Sequence, residues 1–186
     1  NFDLERSHVL PAMVRKMHLA TALMKGDWDA IRNDLDSRPV EGVSGQKSNQ
    51  EIMDLLAKYG ITESRLWLWG TGRPMREFLW SEEMADACVY IMEKVDFDDL
   101  KGTDSEVRNC HINIGTGKEI SIFDLAYLIK ETTGYMGEIL FDDSKPDGTM
   151  RKLTDVTKLN RLGWKHAIEI EEGVQQMYNW YLNGVD

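Results

Sequence analysis

Leu66-Trp67-Leu68-Trp69-Gly70-Thr71-Gly72-Arg73-Pro74-Met75-Arg76-Glu77-Phe78-Leu79-Trp80 sets two short apolar runs on either side of a turn rich in glycine, proline and arginine. Leu66 to Trp69 and Glu77 to Trp80 are predicted strands, because aromatic and aliphatic side chains suit a half-buried pleated surface. Gly70 and Gly72 reach backbone conformations closed to other residues, and Pro74 fixes one torsion. The turn therefore holds Arg73 and Arg76 on a constrained loop beside a tryptophan. A guanidinium fork suits a phosphate, and an indole face suits a base or a sugar ring. An ordinary hairpin with solvated arginines is the alternative that these residues alone leave open.

Upstream, Asn1 to Arg6 is a polar loop, and Ser7 is placed to cap the helix that follows. Pro11 falls in its first turn, where a missing N–H is harmless. Leu10, Met13, Val14, Met17, Ala20 and Met24 recur at helical spacing. His8 stands at the mouth of this helix. A lone histidine there is more often a surface or capping residue than a catalyst. The Arg15-Lys16 pair reads by itself as a solvated face. Residues 25–62 are predicted as an inserted hairpin of helices, either a lid over a site or an edge contact. Its first helix starts at Asp27 and its second spans Asn49 to Tyr59, with Gly60 as the stop.

Downstream, Ser81 is predicted to cap a helix whose apolar stripe is Met84, Ala85, Cys88, Val89, Ile91 and Met92, with Cys88 in the core. Tyr90 and Lys94 share the Tyr-x-x-x-Lys spacing of a reductase site, but no glycine-rich nucleotide loop precedes them and that reading is rejected. Asp96 to Arg108 is an acidic, exposed loop. His111 to Ile114 is a predicted strand entering Gly115-Thr116-Gly117, with Cys110 and His111 structural. A dinucleotide fingerprint needs a third glycine, and positions 120 and 75 hold Ile120 and Met75, so both Gly-x-Gly turns fail the test. Ser121 caps a helix through Ile129 that Gly134 stops. Glu138 to Phe141 is a strand running into a charged turn at 142–152. Asp155 starts a short helix ended by Gly163, and Ile170 to Leu182 forms the last.

A chain of 186 residues with 42% hydrophobic content can bury a sizeable core. Its net charge of −10 excludes nucleic acid and anionic membranes as general partners. Against that background a local basic cluster is more telling. Two cysteines give neither a disulfide framework nor metal-ligand spacing, so no metal is expected and both thiols fit a reduced, cytoplasmic protein. No run of about 18 apolar residues is present for a membrane span. The chain starts at Asn1 and reads as a piece of a longer protein.

Four stretches carry a resemblance: Ser7 to Ala12, Trp69 to Leu79, Asn113 to Gly117 and Lys145 to Thr149. In this order they resemble the C-terminal portion of the GDP-L-fucose synthase family, which are extended short-chain dehydrogenases/reductases. The resemblance covers nearly the whole chain outside residues 25–62. It implies an α/β fold class: a small mixed α/β substrate-binding domain lacking most of the Rossmann domain, with residues 1–186 as the substrate-binding fragment and the NADP-binding domain absent. The His111 strand and the final helix are expected to complete that missing domain. The family epimerises C3 and C5 of GDP-4-keto-6-deoxy-D-mannose and reduces C4 with NADP as cofactor, giving GDP-L-fucose, and it implies a homodimer. His8 matches the family's histidine near the sugar and nicotinamide, and imidazole suits a proton donor or acceptor. Lys16, Trp69, Arg76 and Asp147 match positions that hold the GDP moiety. Lys16 stands where some members have arginine, and meets a phosphate as a point charge. Family residues for reduction lie upstream of the histidine, so the fragment alone is expected to be inactive. Another nucleotide-sugar epimerase or dehydratase, and a non-enzymatic nucleotide-sugar sensor, are the alternatives.

Overall fold

Within Arg65-Leu66-Trp67-Leu68-Trp69 the leucines are buried and the two ends exposed, as the two-residue period of a strand requires. The computed structural model describes residues 1–101 and 107–183. This run is β1 (Arg65–Trp69), paired in parallel with β4 (Glu138–Asp142), so that Leu66 faces Ile139 and Leu68 faces Phe141. A parallel pair needs a long crossover. Here the crossover holds β2 (Met75–Arg76), α4 (Ser81–Lys94), α5 (Phe97–Lys101), β3 (Ile120–Ser121) and α6 (Ile122–Thr133). β2 and β3 pair antiparallel, with Arg76 opposite Ile120.

The alternative of an ordinary hairpin therefore does not form, and the predicted strand at Glu77 to Trp80 is absent. Gly70 and Gly72 both turn through left-handed conformations. Beyond them the Met75 N–H donates to the Met150 carbonyl, so the second run is held by the 149–154 segment and not by β1.

α1 (Val9–Lys25) runs through the core, burying Leu10, Met13, Val14, Met17, Ala20 and Leu23 and packing on α6, β1 and α2 (Trp28–Ser37). Residues of α2 and of α3 (Asn49–Lys58) complete the same cluster, with Ile31, Leu35, Ile52 and Leu56 at zero exposure. Each such side chain contributes about 1.5–3 kcal/mol when buried, so residues 25–62 are part of the core's stability. α3 opens on a capping box, in which Ser48 and Glu51 exchange side-chain and backbone hydrogen bonds. α8 (Ile170–Asn183) adds Val174 and Tyr181. A smaller cluster joins Ala87, Trp164 and Leu159, the last on α7 (Thr157–Arg161).

Several local expectations are corrected. Ser7 does not cap α1: its hydroxyl donates to the Asn1 carbonyl at 2.8 Å, and His8 takes the N-cap without a side-chain bond. Trp80, not Ser81, occupies the N-cap of α4. Along α4 Ala87 alone is buried; Cys88 is exposed, as are Met84, Val89 and Met92. The periodicity correctly marks an amphipathic helix, but among the described residues nothing covers Met84, Cys88, Val89 and Met92 of its apolar stripe. His111 to Ile114 is irregular, because no strand lies beside it to pair with among the described residues; Ile112 and Ile114 still pack on the smaller cluster. The loop expected at Asp96 to Arg108 begins with α5, and its residues 102–106 lie outside the described residues. Among the described residues no helix is long and apolar enough to cross a membrane.

Candidate functional site

The turn after β1 is locked by a carboxylate far along the chain. Asp147 accepts hydrogen bonds from the Thr71 N–H at 2.8 Å and the Thr71 hydroxyl at 2.7 Å. Gly70 makes this approach possible: a Cβ there would stand 2.4 Å from the Asp147 carboxylate, and its φ of +84° is left-handed. Hydrogen bonds from the Thr71 hydroxyl and N–H, with the attraction of Arg73 added, hold the Asp147 carboxyl below the usual carboxylate range. The Gly70 N–H donates to the Asp142 carbonyl at 2.9 Å, so both ends of the 142–147 loop are tied to this turn.

Trp69 stands at the end of β1, 73% exposed, with the Lys145 ammonium 5.7 Å from its ring. Arg76 donates through Nη1 to the carbonyls of Met75 at 2.7 Å and Thr149 at 2.6 Å. Its Nη2 lies over Gly148, where a Cβ would come within 2.9 Å. Among the described residues no carboxylate forms an ion pair with Arg76. Trp69, Arg76 and Asp147 converge with Val9, Gly72 and Ile122 on a cavity of about 210 Å³. A fixed guanidinium beside an open indole face is an arrangement for an anionic, ring-bearing ligand.

Two further predicted residues stand apart from that cavity. His8 is exposed and lines a neighbouring apolar cavity of about 150 Å³ with Pro11, Phe78 and Trp80; the next residue, Val9, lines the Arg76 cavity. Lys16 follows Val9 by seven residues on the same face of α1, and lines neither cavity. It is half-buried, not solvated, and burial pushes its pKa down to about 8. Its neighbour Arg15 is also no solvated residue. It is 1% exposed and bound to Asp34 on α2, with Nε 2.9 Å and Nη2 2.8 Å from Oδ2. Tyr181 of α8 donates its hydroxyl to the other Asp34 oxygen.

The most spacious cavity described, about 540 Å³, lies at this Asp34 cluster, lined by His18, Arg38 and Tyr181. Size does not make it the candidate site. Arg15 and Arg38 both pair with Asp34 there, so each of these charged groups already has an ionic partner within the protein. At the smaller cavity the Arg76 charge still faces open space.

Neither glycine turn fits a dinucleotide pyrophosphate. The Thr71 N–H is taken by Asp147, and those of Thr116 and Gly117 by the Glu77 carboxylate at 2.7 and 2.6 Å. Among the described residues no group of three His, Cys, Asp or Glu side chains could hold a metal ion. Sequence reasoning missed Thr71, Glu77 and Thr149 as builders of the site. Their partners lie 39 to 77 positions away, and no local pattern announces such a pairing.

Comparison with known proteins follows the same outline. A sequence model of the NAD dependent epimerase/dehydratase family matches residues 39–115. The GDP-L-fucose synthase of Escherichia coli (strain K12) is 37% identical over 186 residues, all of this chain and 46% of that protein. A GDP-6-OMe-4-keto-L-xylo-heptose reductase from Campylobacter jejuni superposes with a TM-score of 0.87 at 41% identity, over 98% of this chain and 50% of its own. A GDP-D-glycero-L-gluco-heptose synthase from the same organism, crystallised in the presence of NADPH, gives 0.84 at 38% identity over 99% and 49%. The chain thus spans about half the length of the relatives it matches.

Proposed function

We propose that the chain belongs to the extended short-chain dehydrogenases/reductases and forms the GDP-sugar-binding half of an enzyme that epimerises and reduces a GDP-linked 4-keto sugar. The first candidate substrate is GDP-4-keto-6-deoxy-D-mannose, converted to GDP-L-fucose. The observation that carries the reading is the Arg76 guanidinium, fixed by two carbonyls and facing a cavity beside Trp69. In this reading Arg76 and Lys16 bind the diphosphate, Trp69 packs on a ring of the ligand, and Asp147 sets the turn while standing within reach of a polar ligand group. A 4-keto group acidifies the neighbouring C–H bonds, so epimerisation needs a positioned acid and base, and His8 is assigned that role.

The nicotinamide cofactor, NADP, is assigned to the part of the longer protein that the matched relatives possess outside this half. In this reading His8 is the residue of this chain that meets it. The uncovered stripe of α4 and the unpaired Ile112–Ile114 segment are surfaces such a domain would cover. Free Cys88 and Cys110 accord with a reducing cytoplasm, and the homodimer of the family is kept as part of the proposal.

A second reading keeps GDP and changes the sugar to a heptose. It is favoured by the heptose enzymes, which superpose on this chain with TM-scores of 0.84 and 0.87 at 38% and 41% identity. Calorimetric titration with GDP, UDP and dTDP tests the shared part. GDP should bind most tightly, and Arg76→Ala should weaken it by about 1.5–3 kcal/mol, the value of a charged hydrogen bond. Unchanged affinity in Arg76→Ala would overturn the phosphate role. Turnover of the 6-deoxy against the heptose substrate by the full-length enzyme decides between the sugars.

A further inference from the structure

Gly115-Thr116-Gly117 resembles a phosphate-binding turn, and it does hold an anion, but the anion is internal. Glu77 Oε1 accepts from the N–H groups of Thr116 at 2.7 Å and Gly117 at 2.6 Å, and Oε2 from that of Thr154 at 3.0 Å. A Cβ on Gly115 would stand 2.6 Å from Oε1, so a glycine is needed for the carboxylate to seat. Successive backbone N–H groups make concavities of this kind for anions. Burial alone would push the Glu77 carboxyl up; the hydrogen bonds from Thr154, Gly117 and Thr116 outweigh it and hold the group below the usual carboxylate range.

The two segments gripped by Glu77 are those that border Arg76, its neighbour in the chain. Thr154 belongs to the segment whose Thr149 carbonyl accepts from Arg76 at 2.6 Å, and whose Met150 carbonyl anchors β2. Thr116 and Arg76 line one small cavity of about 50 Å³. Releasing Glu77 would free both segments and, with them, the Thr149 carbonyl that aims the guanidinium. We infer that Glu77 is a positioning residue that presents Arg76 to the anionic ligand, a role that rests on the GDP-sugar reading above.

The test is a double-mutant cycle on GDP affinity in the whole chain, read by calorimetry. Glu77→Gln should weaken GDP about tenfold relative to wild type, yet change it less than twofold when Arg76 is already alanine. Gly115→Ala, whose methyl intrudes on the carboxylate without altering its charge, should reproduce the loss and serves if Glu77→Gln folds poorly. Amide exchange at Thr116, Gly117 and Thr154 should quicken at least tenfold in either variant. An equal loss from Glu77→Gln with and without Arg76 would assign Glu77 to general folding and overturn the positioning role. Wild-type binding left intact in Glu77→Gln overturns that role alone, whereas no GDP binding by the wild type overturns the nucleotide site and the role together.

Discussion

Lys16 is half-buried on an acidic protein, and among the described residues no carboxylate forms an ion pair with it. Such a group costs stability, since burial disfavours the ammonium, and costs of this kind cluster at functional sites. Its folded pKa of about 8 lies below the ordinary lysine value of 10.5. Between those values the unfolded chain binds the extra proton, so stability should rise as pH increases from about 8 towards 10.5, and Lys16 should give no slope below pH 8. Lys16→Met should remove this rise and should be more stable at pH 7 by about 1–3 kcal/mol, measured by urea denaturation across that range. Identical pH profiles for the two proteins would refute the burial of the charge. Arg15, next in the chain, shows how little the residue type alone decides. The two lie side by side, yet one is matched by Asp34 inside the core and the other forms no ion pair with a carboxylate among the described residues.

At the scale of elements, Asp34 joins α2 to α1 through Arg15 and to α8 through Tyr181. Removing one partner of a buried pair leaves the other uncompensated, at about 3–5 kcal/mol. Asp34→Asn should therefore lower stability by that amount in chemical denaturation, while GDP affinity measured under folding conditions stays unchanged. A loss below 1 kcal/mol would show that this joint does not hold the helices together. The same joint explains why residues 25–62 are no lid. Their apolar faces are buried with α1 and β1, and none of them lines the Arg76 cavity. The opening stretch divides in the same way: β1 and β2 flank one turn but belong to different sheets, because their hydrogen-bond partners come from β4 and from β3 with the 149–154 segment.

At the scale of the whole molecule, α4 presents an uncovered apolar stripe that includes Met84, Val89 and Met92. Met92 is 84% exposed and Val89 53%, on a helix whose spacing had predicted a core face. An exposed side chain away from special contacts changes stability by less than about 0.5 kcal/mol. Met92→Lys should leave the unfolding midpoint of this chain within that limit, and a loss above 1 kcal/mol would mean that the stripe is covered within the chain itself. In the proposed longer enzyme, whose nucleotide-binding domain would pack there, the same substitution should destabilise.

What the sequence by itself determined is local. Helix periods placed α1, α3, α6 and α8 to within a residue or two, Asp27, Ser121 and Gly134 act at helix ends as their chemistry requires, and the motifs picked out Trp69, Arg76 and Asp147, which do share one cavity. What only the tertiary structure decided is pairing at a distance. Asp147 finds Thr71 across 76 positions and Glu77 finds Thr154 across 77, while His111 to Ile114 stays irregular for want of a neighbouring strand. A helix satisfies its backbone within one segment, so its sequence can announce it. A strand, or a carboxylate seated on backbone N–H groups, is completed by residues elsewhere in the chain, and no stretch read alone contains them.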